Sequence, residues 1–298
     1  MYGFTDLYDK LHKSHEVLGR SKSTFNNYIR QIAKISLHFG IVANKLTADQ
    51  VEDYLYHLKS LCKSPSESTF KHTIYGLKFM LNQYDLPYSH LKLPKLKRQN
   101  TLPVILSKQE MFAMLKQAKL LKHKMLLGLL YGCGLRCFEV RNIRLRDLDF
   151  DRKQLHVTQG KGKKPRYVPL SEHIIRGLKV YISSEKPKDW LFNGQPFGRA
   201  GGDFDSRYSQ RGVQWVIKQS CKRAGINKRI TTHSLRHTFA THLLEDGLDI
   251  MSIKELMGHA RIETTLVYLH VAQLDPKRKF SPLDTLFETC KPNTKSNR

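Results

Sequence analysis

Residues 230 to 244 read ITTHSLRHTFATHLL and set His233, Arg236 and His237 at the start of a helix whose other face is apolar. A helix start exposes unpaired N–H groups and a partial positive charge, so cations there oppose the dipole unless an anion lies among them. An anion meets that need. Three further pieces bring groups of the same kind. GCGLRCFEVRNIRL, Gly132 to Leu145, places Arg136 where a glycine break meets a helix start. QGKGKKPR holds Lys161 between two glycines, where an ammonium projects without crowding. Asp249 caps a helix that ends at Gly258 and delivers His259, and Tyr268 follows nine residues later in ETTLVYLH.

Each group has a plainer alternative. Arg136 by itself suits a surface salt bridge, and Lys163 and Lys164 share the turn with Lys161, so its register is ambiguous. Helical spacing of His233, His237 and His242 imitates a zinc site, yet no acid or cysteine accompanies them, and no metal is expected. His237, one turn after His233, is expected to back the site or to pack. Tyr268 alone could be one of many core aromatics.

Charge narrows the field. Across 298 residues, 51 Lys and Arg against 26 Asp and Glu leave a net charge of +25. Clustered cations gain free energy by releasing counterions from nucleic acid, so a polyanionic partner is the first expectation. The longest apolar run, Met125 to Tyr131 broken by Gly128, is far short of the roughly 20 residues that span a bilayer. The start, MYGFTDLYDK, has no signal-peptide core, so no membrane and a cytoplasmic location are expected. Five scattered cysteines argue for buried thiols and against a disulfide framework.

These groups need elements to hold them. Phe25 to Phe39, Val51 to Leu58 and Phe70 to Tyr84 show helical spacing, and a weaker segment around Phe4, Leu7 and Leu11 makes a fourth helix. Gly40, Thr47 and the Pro65–Ser66 pair punctuate this bundle, whose aromatics are expected in its core. A domain over 1–91 follows. Residues 92–102, KLPKLKRQNTL, form a tether bearing Lys92, Lys95, Lys97 and Arg98. Extended, it spans roughly 36 Å, enough to let two domains embrace a duplex, unless it is merely a soluble linker. A second domain, 103–271, opens on the Ser107–Glu110 capping pattern, with a helical region to Tyr131 and a new helix near Cys137. Residues 154–170 alternate as a hairpin, and helices resume at Ile174 to Ile182 and Val213 to Ala224. The fold class expected is mainly α with a small antiparallel β hairpin or sheet.

Taken together, LLYGCGLRCFEVRNIRLRDLDF, QGKGKKPRYVPL and HSLRHTFATHLLEDGLDIMSIKELMGHARIETTLVYLH resemble, in order and spacing, the tyrosine recombinases or phage integrases. Xer-type site-specific recombinases and integron integrases resemble the chain well. The resemblance implies a four-helix, SAM-like core-binding domain before an α+β catalytic domain. It implies that Tyr268 attacks a DNA phosphodiester to give a 3′-phosphotyrosyl link and a free 5′-hydroxyl. Arg136 and Arg236 then hold the non-bridging oxygens through forked donors. His233 and His259 add donors or manage the nucleophile's proton, Lys161 protonates the departing oxygen, and Glu139 orients Arg136. Positioned cations relieve the charge of such a transition state without a metal, and no cofactor is expected, in keeping with the lack of a phosphate-binding Gly-rich loop motif.

The implied partners are duplex recombination sites, with folded single strands as a second form, and a homo-tetramer that exchanges strands through a Holliday junction. The tail, 272–298, is the implied protomer-docking segment. Lys163, Lys164, Arg199, Arg207 and Arg211 either contact phosphate or belong to solvated loops. Two other functions fit less of the pattern: a monomeric type IB topoisomerase-like relaxase, and a DNA-binding protein with idle catalytic groups.

Overall fold

The computed structural model describes residues 3–61, 67–94, 102–158, 165–194 and 206–272. Lys95, Lys97, Arg98, Lys161, Lys163, Lys164, Arg199, the Pro65–Ser66 pair, Tyr2, Cys62, Cys290 and the tail past residue 272 lie outside the described residues. The chain divides into two compact units, residues 1–100 and 101–298.

The first unit holds α1 (Phe4–Val17), α2 (Lys22–Phe39), α3 (Ala48–Tyr56) and α4 (Glu67–Leu81). Local chemistry sets their ends. Ser21 accepts from Thr24 N to start α2, and Gly40 stops it in a left-handed conformation at φ 68°. Thr47 and Gln50 form a reciprocal capping box at the start of α3. Leu7, Leu11, Phe25, Ile32, Ile35, Val51, Ile74 and Leu77 build the core, each buried side chain contributing about 1.5–3 kcal/mol. The aromatics divide. Phe25, Tyr54 and Tyr88 are buried, and Tyr88 donates to the Ala43 carbonyl at 2.8 Å. Tyr8, Tyr56 and Tyr75 are exposed, contrary to a wholly core role. The helical period explains two of them, because Tyr8 and Tyr75 each stand one position, about 100° of rotation, past the buried Leu7 and Ile74.

The second unit begins with α5 (Lys108–Lys116), where Ser107 and Glu110 cap each other, and α6 (Leu121–Gly132). The expected helical region to Tyr131 is made of these two helices. No Gly or Pro marks the break; it turns α6 so that Leu126, Leu127, Leu129 and Leu130 are fully buried, and α6 packs on later helices. Next come α7 (Cys137–Arg141) and a sheet of β1 (Leu148–Asp149), β2 (Gln154–Val157) and β3 (Arg166–Pro169). The strands lie antiparallel in the order β1-β2-β3, with Leu155 opposite Val168 and Val157 opposite Arg166. β1 extends the expected hairpin by a strand of two residues, too short for a period to reveal.

Then follow α8 (Glu172–Glu185), α9 (Gln210–Arg223), α10 (Thr232–Glu245), α11 (Ile250–Met257) and α12 (Glu263–Leu266), which runs into a tight turn at Val267–His270. α6 lies against both α8 and α10. Cys133, Cys137 and Cys221 are buried free thiols in the larger core. Among the described residues, no helix is long and apolar enough to cross a membrane.

Candidate active site

Four local features aim the site. Thr231 caps α10, its hydroxyl accepting from Ser234 N at 3.2 Å while Ser234 Oγ accepts from Thr231 N. This places Arg236 on the inner face of the first turns, 3% exposed, and His233 on the outer face, exposed. Gly134 has φ +59°, and a Cβ there would stand 2.3 Å from the Phe239 ring, so only glycine lets the Arg136 segment approach α10 this closely. Arg136 is the N-cap residue of α7, and its backbone N–H donates to Glu139 Oε2 at 2.8 Å. Asp249 accepts from Met251 N and Ser252 N to start α11, and Gly258 ends it at φ +59°.

The C-terminal end of α11 organises the cations. Arg166 Nε donates to the Leu256 carbonyl at 2.8 Å, Arg236 donates to the Met257 carbonyl, and Arg136 Nη2 donates to the Gly258 carbonyl at 3.4 Å. Carbonyls at a helix end carry partial negative charge and have no partners within the helix, so they suit guanidinium donors. This corrects the expectation from sequence. Arg236 is held by the carbonyl end of α11 and by Gly134 O at 2.5 Å, and does not depend on an anion at the start of its own helix.

Glu139 joins the three arginines. Its carboxylate accepts from Arg166 Nη1 and Nη2 at 2.9 and 3.0 Å and from Arg136 Nη1 at 2.8 Å, and it lies 3.7 Å from Arg236 Nη1. Burial by itself pushes this carboxyl up, but the Arg166 hydrogen bonds and charge, followed by Arg136, outweigh it and hold it down at about 2. Arg236 is pushed down to about 9, first by burial and then by the Arg136 charge, against the opposing pull of Glu139. The charges in the cluster contribute to both shifts, although burial is the larger cause for Arg236. Three guanidinium groups share a single carboxylate, which leaves the cluster two positive charges in excess.

Tyr268 lies beside this cluster, 1% exposed, among Phe239, Ala240, Leu244, Ile253 and Met257. Burial raises its phenol to about 12, while the charges of Arg236 and Arg136 pull the other way. Its hydroxyl is 3.0 Å from His237 Nδ1. The His259 ring also stacks on it, with centroids 6.4 Å apart and planes 18° from parallel, and His259 Nδ1 is 2.9 Å from Thr265 Oγ1.

The site therefore gathers Arg136, Glu139, Arg236, His259 and Tyr268 from the expected set, with His233 at its outer edge. Lys161, Lys163 and Lys164 lie outside the described residues. Lys92 is exposed in the first unit, and Arg211 is exposed at the start of α9. Arg207 is half-buried, donating to Asn142 Oδ1 at 2.5 Å with its guanidinium 5.3 Å from the Trp190 ring centroid, so it has partners within its own unit. His242 is buried between the Tyr131 hydroxyl and the Leu106 carbonyl, 2.9 and 3.0 Å away, which gives it a packing role.

Sequence reasoning misses one participant: Arg166 ends QGKGKKPR among other basic residues, and its contact with Glu139 forms only in the fold. His237 backs the site, as its place one turn after His233 leads one to expect, but its contact with Tyr268, 31 residues away, has no local signal.

A mainly helical unit with a small antiparallel sheet, presenting a buried tyrosine beside clustered arginines and imidazoles, defines the tyrosine recombinase class. Comparison agrees with that geometry: the profile of the phage integrase family matches residues 105–274. A tyrosine recombinase of Thermosipho africanus is 34% identical over 269 residues, covering 85% of this chain and 90% of that protein. Tyrosine recombinase XerA of Pyrococcus horikoshii is 32% identical, with 90% of each chain covered. In fold, the chain is similar to the XerH site-specific recombinase solved with palindromic difH substrate, at 20% identity and a TM-score of 0.66, covering 89% of this chain and 80% of that one. The chain belongs to the phage integrase family, that of the tyrosine recombinases.

Proposed function

We propose that this chain is a site-specific DNA recombinase that cuts and rejoins strands through Tyr268. The observation that carries the proposal is a surplus of positive charge at a phenol: three guanidinium groups, one carboxylate, and the Tyr268 hydroxyl in one cluster. Such a surplus attracts an anion, and a phosphodiester is one that a phenol can attack.

Tyr268 Oη forms a bond to phosphorus while the bond from phosphorus to the 5′-oxygen breaks, leaving a 3′-phosphotyrosyl ester and a 5′-hydroxyl. Arg136 and Arg236 hold the non-bridging oxygens, where charge gathers in the transition state. Glu139 orients both guanidinium groups. His233 and His259 supply donors or manage the nucleophile's proton, and Lys161 gives the leaving oxygen its proton. Because the ester keeps the energy of the broken bond, another strand's hydroxyl can attack it and restore continuity. Lys92 and the rest of the tether, with Arg211, meet the DNA backbone. Four copies act together in the cytoplasm, at the nucleoid, passing through a Holliday junction, with the tail past residue 272 docking between protomers.

The test is a nicked suicide duplex carrying a site recovered from a randomised DNA library by the purified chain. A covalent adduct is expected that survives chelators and vanishes in Tyr268→Phe. Arg136→Ala and Arg236→Ala should each slow its formation by about 10² to 10³, as for loss of one transition-state donor. An adduct mapped to another tyrosine would falsify the assignment.

A further inference from the structure

We infer that His237 is a positioning residue for the nucleophile: its Nδ1 accepts the hydrogen bond of the Tyr268 hydroxyl and so fixes the phenol oxygen beside the guanidinium cluster before DNA arrives. The inference rests on Tyr268 being the nucleophile.

Three observations carry it. The Nδ1 to Oη separation is 3.0 Å, within ordinary hydrogen-bond range, and the two ring centroids are 5.6 Å apart. Tyr268 is 1% exposed, so its hydroxyl needs a protein partner, and the bond to His237 satisfies it. His259 meets the phenol differently, its Nδ1 2.9 Å from Thr265 Oγ1 and its ring 18° from parallel to the phenol with centroids 6.4 Å apart. A tyrosine ring held on one side by stacking retains freedom about its side-chain bonds. A hydrogen bond at the oxygen removes that freedom where the reaction needs it, and misplacing a reacting atom by about 1 Å can cost 10²-fold in rate.

Charge separates positioning from proton abstraction. Burial, followed by the neighbouring His233 and Arg236 charges, pushes His237 down to about 4, while the Tyr268 phenol stands at about 12. Both shifts run against transfer of the phenol's proton to His237. A neutral imidazole this weak in basicity accepts a hydrogen bond and does not take the proton. It also keeps an extra cation out of a cluster that already holds two in excess.

The experiment compares His237→Ala, His237→Asn and His237→Gln in the full chain on the suicide duplex, measuring single-turnover cleavage, DNA affinity and melting temperature. Asn places an amide near the Nδ1 position, whereas Gln reaches toward Nε2. Expected are a loss of about 10- to 100-fold in cleavage for His237→Ala with DNA affinity unchanged, recovery of most of that rate in His237→Asn, and no recovery in His237→Gln. On a duplex with sulfur in place of the departing 5′-oxygen, the relative loss should persist, because the defect lies with the nucleophile. Should His237→Ala fold poorly, the contrast between the Asn and Gln variants decides. Full cleavage by His237→Ala, equal rates for Asn and Gln, or a loss erased by the sulfur leaving group overturns the inference. An adduct that forms on Tyr268 in such variants leaves the nucleophile assignment standing, whereas a wild-type adduct on another residue removes the basis of both.

Discussion

Replacing Glu139 by glutamine removes the one negative charge among Arg136, Arg166 and Arg236 while keeping the side-chain shape. In the folded chain this carboxyl is held at about 2, against an ordinary value of 4.5. At 1.36 kcal/mol per pH unit, the difference is about 3 kcal/mol in favour of the folded state at neutral pH. The carboxylate is nearly buried, its side chain 8% exposed, so solvent screening reduces this little. The sign is set by the folded value lying below the unfolded one. The contribution is full above about pH 4.5 and is lost as pH falls through about 2. For a unit of this size, about 3 kcal/mol corresponds to a fall in melting temperature of roughly 6–12 °C for Glu139→Gln near pH 7. Differential scanning calorimetry on wild type and variant should give that gap, and chemical denaturation near pH 3 should show it shrunk to about two fifths. A fall below about 2 °C near neutrality, or a gap that does not narrow in acid, would refute the claim that this carboxylate neutralises the arginine cluster.

Three other outcomes are expected. Gly134→Ala should destabilise by more than the roughly 1–3 kcal/mol of a left-handed backbone, because its Cβ also meets the Phe239 ring at 2.3 Å; urea unfolding measures this, and in a Phe239→Ala background, itself less stable, the added cost of Gly134→Ala should fall toward the backbone part alone. Arg166→Met breaks the buried pair with Glu139 and frees the Leu256 carbonyl, so it should cost about 3–5 kcal/mol in thermal unfolding and slow adduct formation on the suicide duplex without touching DNA itself. Deleting residues 281–298 should weaken tetramer assembly on DNA more than binding to a single site, read by native gel shift; equal losses would count against a docking tail.

Much of the local architecture was legible because its causes are local. Gly40, Thr47 with Gln50, Ser107 with Glu110, Thr231 and Asp249 punctuate helices through bonds only a few residues long, and the 154–170 alternation gives the strands their register. The division of 107–131 into α5 and α6 escaped, because no turn-forming residue marks it and burial of the α6 leucines imposes it. The exposure of Tyr75 was equally hidden by a composition that mixes core and surface aromatics on one helix.

The sequence by itself determined which groups are available and what each is locally set to do: a phenol nine residues beyond His259, arginines at glycine breaks, and a charge balance that demands an anion. Tertiary structure decided which groups meet. Arg136 reaches Gly258 across 122 residues, Arg166 reaches Leu256 across 90, and His237 reaches Tyr268 across 31. No period or motif encodes such pairs, because they form only when packing brings distant segments together: the carbonyl end of α11 against three weakly hydrated guanidinium groups, which trade water for fixed carbonyls, and the phenol against His237.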